Sequence, residues 1–146
     1  PRFDLYFALR ALIEIARRFD RREDAPSSYR LAEQFGTTDS QMSRILRKLE
    51  DAQLVKEIGG DWAGLVPGCD PDRITVEEVM LQMEGMQHAL PDIGGDDRER
   101  AAIGDLFNRL AESTKATLKG LTIGQLVRDF YTPRAAPRIE DRFTGR

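Results

Sequence analysis

From Phe3 to Phe19 the apolar residues Leu5, Leu9, Leu12, Ile13 and Ala16 recur at spacings of three and four, the stripe of an amphipathic helix. The polar run DRREDAPSS interrupts that stripe. SYRLAEQFG then predicts a short second helix, opening after Pro26 and two serines and stopping at Gly36, a residue suited to a left-handed C-terminal cap. A third helix follows almost at once. Thr38 and Gln41 have the spacing of a reciprocal capping box, and Met42, Ile45, Leu46 and Leu49 form the buried stripe. Two short helices joined by so tight a turn predict a helix-turn-helix.

Beyond EDAQ the period shortens to that of strands. LVKEI and WAGLV, separated by GGD, predict a β-hairpin wing, with Trp62 expected as a half-buried strand aromatic. The paired glycines Gly59 and Gly60 precede a strand rather than a helix, so they predict a tight turn and not a phosphate-binding loop. TVEEVMLQM opens with a second capping box, Thr75 with Glu78, and places Val76, Val79, Met80 and Met83 on one face. GMQHALPDIGGDD is a turn-rich connector. A long helix is expected from about Asp97 to Lys119, with Ile103, Leu106, Phe107, Leu110, Thr114 and Leu118 near one face. Thr122 and Gln125 would cap a last short helix carrying Leu126, Val127 and Phe130. The segment YTPRAAPRIEDRFTGR has little with which to build a core.

The expected fold class is therefore mostly α with a small β-hairpin wing. A winged helix-turn-helix with its following helix spans 1–86, a connector 87–96, a long C-terminal helical arm 97–130, and a tail 131–146. The arm is expected to pack on the first helix or on another copy, making a homodimer. Leu5, Leu9, Leu106, Phe107 and Leu110 are the candidate dimer contacts.

Charge narrows the choice of partner. The chain of 146 residues carries a net charge of -3, so nothing draws it as a whole to nucleic acid, and any contact must be local. In a helix-turn-helix the second helix enters the major groove. Here Asp39, Ser40, Ser43 and Arg44 would face base edges, and Arg47 and Lys48 would reach phosphates. The opposing expectation is a merely solvated helix face. From Lys56 to Arg73 two cations stand against Glu57, Asp61, Asp70 and Asp72, whereas a phosphate-gripping wing should be basic. On that balance duplex DNA is not the favoured partner.

Little else in the chain carries chemistry. The one cysteine, Cys69, forms no internal bridge, which suits a reducing cytoplasm. The one histidine, His88, lies in the connector without a partner to orient it. Cys69 and His88 do not make a metal set, and Glu77, Glu78, Asp96 and Asp97 read as helix-start acids and not a nuclease dyad. No enzyme activity, no cofactor, no metal and no small-molecule ligand is expected. No stretch has the roughly 18 to 20 apolar residues of a spanning helix, and no signal peptide opens the chain.

Two families share this layout. LYFALRALIEIA, LAEQFGTTDSQMSRILRKLEDAQLV, DRITVEEVM and LKGLTIGQLV together resemble the Rrf-type winged-helix repressors over about residues 3–127. That resemblance implies a DNA-binding transcription repressor, with Ser40, Ser43, Arg44, Arg47 and Lys48 as its DNA-binding residues. Its cluster-binding members carry three close cysteines after the fourth helix, whereas this chain has none between Gly85 and Asp97, which excludes an iron-sulfur sensor. The segment AQLVKEIGGDWAGLVPGCDPDRITVEEV resembles the cytoplasmic C-terminal extension of ribonuclease BN-like inner-membrane proteins, the YihY or BrkB family. That resemblance implies a regulatory or assembly domain tethered to the inner membrane, a boundary at Pro1 with membrane spans before it, and any tRNA-processing nuclease activity elsewhere in a longer protein. The acidic wing favours this second reading, with the repressor as the alternative.

Overall fold

The computed structural model describes residues 3–84 and 98–131. The first apolar stripe forms α1 (Asp4–Asp20), a helix buried on most of its circumference at Ala8, Ala11, Leu12, Ile13, Ile15 and Ala16. Such burial on all sides marks a central helix rather than a surface one. Five other elements pack on it: the second, third, fourth and last helices and the second strand of the wing. α2 (Ser28–Phe35) begins where the Ser27 hydroxyl accepts from the Arg30 N–H at 3.1 Å and ends at Gly36, whose φ of 75° needs the freedom of glycine. α3 (Asp39–Asp51) buries the expected Met42, Ile45, Leu46 and Leu49. Its capping box is only half formed. The Thr38 hydroxyl accepts from the Gln41 N–H at 3.1 Å, but the Gln41 side chain turns away to accept from Arg44.

The wing is an antiparallel pair, β1 (Val55–Ile58) and β2 (Gly64–Pro67), in register from Val55 opposite Pro67 to Ile58 opposite Gly64. Pairing stops there, and Gly60–Trp62 form a 3-10 turn at the tip. Trp62 lies outside the ladder and is 76% exposed, which corrects the expectation of a half-buried strand residue. The hairpin is anchored near its turn end, where the Leu65 N–H donates to the Pro26 carbonyl at 2.8 Å. Gly64 passes so close to Ala25 that no Cβ would fit.

A 3-10 turn at Pro71–Arg73 leads to α4 (Val76–Glu84), capped by Thr75 through the Glu78 N–H and buried at Val76, Val79 and Met83. α5 (Arg98–Thr117) follows the connector, and α6 (Ile123–Tyr131) closes the described chain. The connector with His88, Asp96 and Asp97, and the tail from residue 132, lie outside the described residues. α6 returns to the body: Ile123 is fully buried, its N–H donates to the Ile74 carbonyl at 2.8 Å, and Gly124 lets the turn at Asp72 approach. Leu126 and Val127 lie half-buried on the core, while Phe130 is exposed. Gln125 also departs from its expected box, donating to Asp129 at 2.7 Å. The whole is mostly helical with one two-stranded hairpin, a winged helix-turn-helix.

One charge is built into the core. Glu14 is 4% exposed on α1 and accepts from Arg17 Nε and Nη2 at 3.0 and 2.8 Å and from Arg18 Nε at 2.7 Å. Burial pushes its carboxyl pKa up, but the hydrogen bonds and charges of the two arginines together outweigh it and hold the group below the usual carboxylate range. A carboxylate with a depressed pKa stabilises the fold fully above its unfolded value and loses that contribution as pH falls through the folded one. Urea unfolding from pH 7 to pH 3 should therefore show Glu14→Gln less stable at pH 7, with a shallower loss of stability than the unaltered chain below about pH 4.3. A second expectation concerns Gln53, which joins α3 to β1 at a φ of 63°, a conformation costly for any residue with a Cβ. Gln53→Gly should raise unfolding stability by about 0.5–1 kcal/mol in the same assay.

Candidate nucleic-acid interface

The periodicity of α3 sorts its side chains into three strips. Met42, Ile45, Leu46 and Leu49 face the core. Opposite them Ser40 and Arg47 are exposed, and Ser43 is half-buried beside them, a hydroxyl-rich face with one guanidinium at its centre. The third strip, Gln41, Arg44 and Lys48, faces the start of α1. Among the described residues Arg47 is the cation of α3 that makes no ion pair.

The two other cations of the helix are held. Arg44 Nη1 and Nη2 donate to the two oxygens of Asp4 at 2.7 and 2.8 Å, a fork-on-fork pair reaching across 40 residues of sequence. Nη2 also donates to Gln41 Oε1. Lys48 Nζ stands 3.9 Å from the same Asp4 carboxylate. The hydrogen bonds that Arg44 donates to Asp4, together with the charge of that carboxylate, outweigh partial burial and raise the Arg44 pKa above an already high value. Asp39 is likewise occupied, accepting from the Ser28 hydroxyl at 3.1 Å and so linking the starts of α2 and α3.

Between α3 and the wing lies a groove lined by Ser43, Arg47, Glu50, Asp51 and Glu57. Its charge is mostly negative, with Glu50 and Asp51 of α3 adding to Glu57 of the wing. Of the five residues proposed from sequence for DNA contact, the fold thus brings Ser40, Ser43 and Arg47 together on one outer face and sets Arg44 and Lys48 against α1. Sequence reading passed over Arg30, which is exposed in the first turn of α2. The helix-turn-helix pattern itself signals that position, because the first helix of the motif crosses the phosphate backbone.

The candidate dimer contacts also divide. Leu5 and Leu9 are half-buried against the chain's own core. On α5, Ile103, Leu106 and Leu110 are 46%, 46% and 42% exposed, Phe107 is half-buried, and the helix has no buried residue among those described. A 20-residue helix, about 30 Å long, thus carries an apolar stripe that its own fold leaves in water.

Comparison with known proteins gives a consistent answer. The family described as "Rrf2: Iron-dependent Transcriptional regulator" matches residues 4–129. The HTH-type transcriptional regulator CymR of Bacillus subtilis is 26% identical over 121 residues, 82% of this chain and 83% of that protein. The putative HTH-type transcriptional regulator BadM of Rhodopseudomonas palustris is 24% identical over 127 residues, 86% of this chain and 80% of that protein. Among solved structures, T. potens IscR superposes with a TM-score of 0.69 at 16% identity, covering 96% of this chain and 94% of that one. B. subtilis CymR, the global cysteine regulator of that organism, superposes with a TM-score of 0.66 at 23% identity, covering 87% and 95%. At these identities the superpositions speak for the fold alone.

These findings overturn the expectation of a ribonuclease BN-like membrane-protein domain. The match spans the body of the chain and belongs to transcription regulators, which also places the chain outside the enzymes. Among the described residues no helix is long and apolar enough to cross a membrane. The iron in the family's description does not fit a thiolate-bound cluster here, because the chain has one cysteine, the exposed Cys69, and one histidine. Among the described residues no group of three His, Cys, Asp or Glu side chains could hold a metal ion.

Proposed function

This chain belongs to the Rrf2 family of transcriptional regulators, and from that premise we propose that it works by binding duplex DNA as a homodimer. The observation that carries the proposal is that the matched span, residues 4–129, runs through both the helix-turn-helix and the long α5. The expectation that duplex DNA is not the favoured partner is withdrawn. It counted charges along the chain, whereas a recognition helix reads bases largely through hydrogen bonds from a few side chains.

In this reading the outer face of α3 enters the major groove. Ser40 and Ser43 offer hydroxyls that can donate to or accept from base edges, and Arg47 reaches a phosphate or a guanine edge. Arg30, at the start of α2, contacts the backbone as the first helix crosses it. The dimer supplies what one subunit lacks. An isolated α5 would be marginal in water, and a second α5 laid against it buries Ile103, Leu106 and Leu110 on both partners. A two-fold dimer then presents two copies of α3 to half-sites about one helical turn apart, roughly 34–36 Å.

Two measurements test this. An enriched duplex should be obtained by selection from a random pool, and Arg47→Ala should weaken binding to it by at least about tenfold, the loss expected for one charged contact. Undiminished affinity in fluorescence anisotropy would remove Arg47 from the interface. The double substitution Leu106→Asp with Leu110→Asp should yield a folded monomer by light scattering, with normal circular dichroism and lost operator binding. A dimer that survives both aspartates would place the seam elsewhere.

A further inference from the structure

The start of α1 carries a device that the DNA-binding reading does not by itself require. Asp4 sits in the first turn of α1, where a negative charge is favoured by the helix dipole, and its side chain is 12% exposed. Arg44 grips it with both terminal nitrogens, and Lys48 approaches the same group. Pulling Arg44 away toward a DNA phosphate would give up a preformed bidentate pair and strip a mostly buried carboxylate of a principal partner. A phosphate offers the same fork geometry and orders the Arg44 side chain no more than Asp4 does, so what opposes the exchange is the mostly buried carboxylate it would leave behind. Asp4 therefore competes with any phosphate for Arg44.

We propose that Asp4 limits how tightly this regulator holds DNA, by drawing Arg44 and Lys48 off the outer face of α3 and leaving recognition to Ser40, Ser43 and Arg47. The inference rests on the DNA-binding reading above and assigns Asp4 as a positioning residue for it. Its physical consequence is selectivity. Phosphate contacts strengthen binding to every sequence alike, whereas base-edge contacts separate sequences. A recognition helix whose spare cations are tied back has weak attraction to arbitrary duplex and depends on the correct bases for its hold. The acidic groove of Glu50, Asp51 and Glu57 beside Arg47 acts in the same direction.

The test compares the full chain with Asp4→Asn, Asp4→Glu and Arg44→Gln, measuring anisotropy on a selected duplex and on an unrelated one across a series of KCl concentrations. Asp4→Asn frees up to two cations per subunit. Its plot of log affinity against log salt should steepen by about one to two per subunit, since each neutralised phosphate contributes about 0.9. Its affinity for the unrelated duplex should rise at least about tenfold at low salt, so that the preference for the selected duplex falls. Asp4→Glu keeps the charge and should follow the unaltered chain. Arg44→Gln alone should leave the slope unchanged, and added to Asp4→Asn it should cancel much of the gain.

A merely structural Asp4 would give the opposite result, weaker binding to both duplexes in Asp4→Asn with no steeper slope, and that result overturns the inference. So does Arg44→Gln if its slope is shallower by about one, because Arg44 would then already lie on a phosphate; this variant decides the matter even where Asp4→Asn fails to fold. Failure of the unaltered chain to enrich any duplex overturns the regulator reading itself, and this inference with it. Normal binding by the unaltered chain with unchanged slopes in the variants removes the inference alone.

Discussion

The winged helix-turn-helix body is arranged around the burial of one helix. α1 gives up its aqueous surroundings along Ala8, Ala11, Leu12, Ile15 and Ala16, and α2, α3, α4, α6 and the second wing strand all pack against it. The small residues among these let neighbouring backbones come close, and the branched ones fill the remaining space. A helix buried so fully has little side-chain freedom except at its ends, and both ends are put to use. At the C-terminal end Arg17 and Arg18 hold Glu14, Arg17 lies over the ring of Tyr131, and Arg21 donates to the Tyr131 carbonyl at 3.0 Å, fastening the end of α6. At the N-terminal end Asp4 takes hold of α3.

The electrostatics of the interface follow from that arrangement. A chain with a net charge of -3 must limit repulsion from DNA locally, yet the wing and the groove beside α3 are acidic, and two of the cations on α3 are turned to α1. What remains on α3 is a narrow outer face of two hydroxyls and one guanidinium. Such a surface trades the long-range pull of a basic patch for dependence on correct bases. The exposed indole of Trp62 at the wing tip adds an uncharged projection where a phosphate-gripping wing would carry cations.

The misleading resemblance has a physical origin. AQLVKEIGGDWAGLVPGCDPDRITVEEV is the wing and the entry to α4. A hairpin of four-residue strands calls for glycine at its tip, its exit runs at once into a turn, and Thr75 must cap the next helix. Any winged helix meets those demands with similar residues, so likeness over that segment reports the hairpin and not the biology. The match over residues 4–129 discriminates better because it includes α1 and α5, which lie outside the hairpin and its local demands.

Periodicity and capping chemistry were sufficient for the helices and the hairpin. The stripe of α3, the Gly36 cap, the Thr38, Thr75 and Thr122 caps and the apolar face of α5 are local patterns, and local patterns depend only on neighbours along the chain. Trp62 was misjudged because the end of strand pairing at Ile58 and Gly64 is a property of two segments together. The fate of the charges was decided at a still longer range. Arg44 and Lys48 look like any outer-face cations of an amphipathic helix until folding brings Asp4, 40 residues earlier, against them. Residue type and spacing determined where the reading helix lies. Only the tertiary structure decided which of its cations are exposed, because an ion pair between distant segments exists once the core between them has closed.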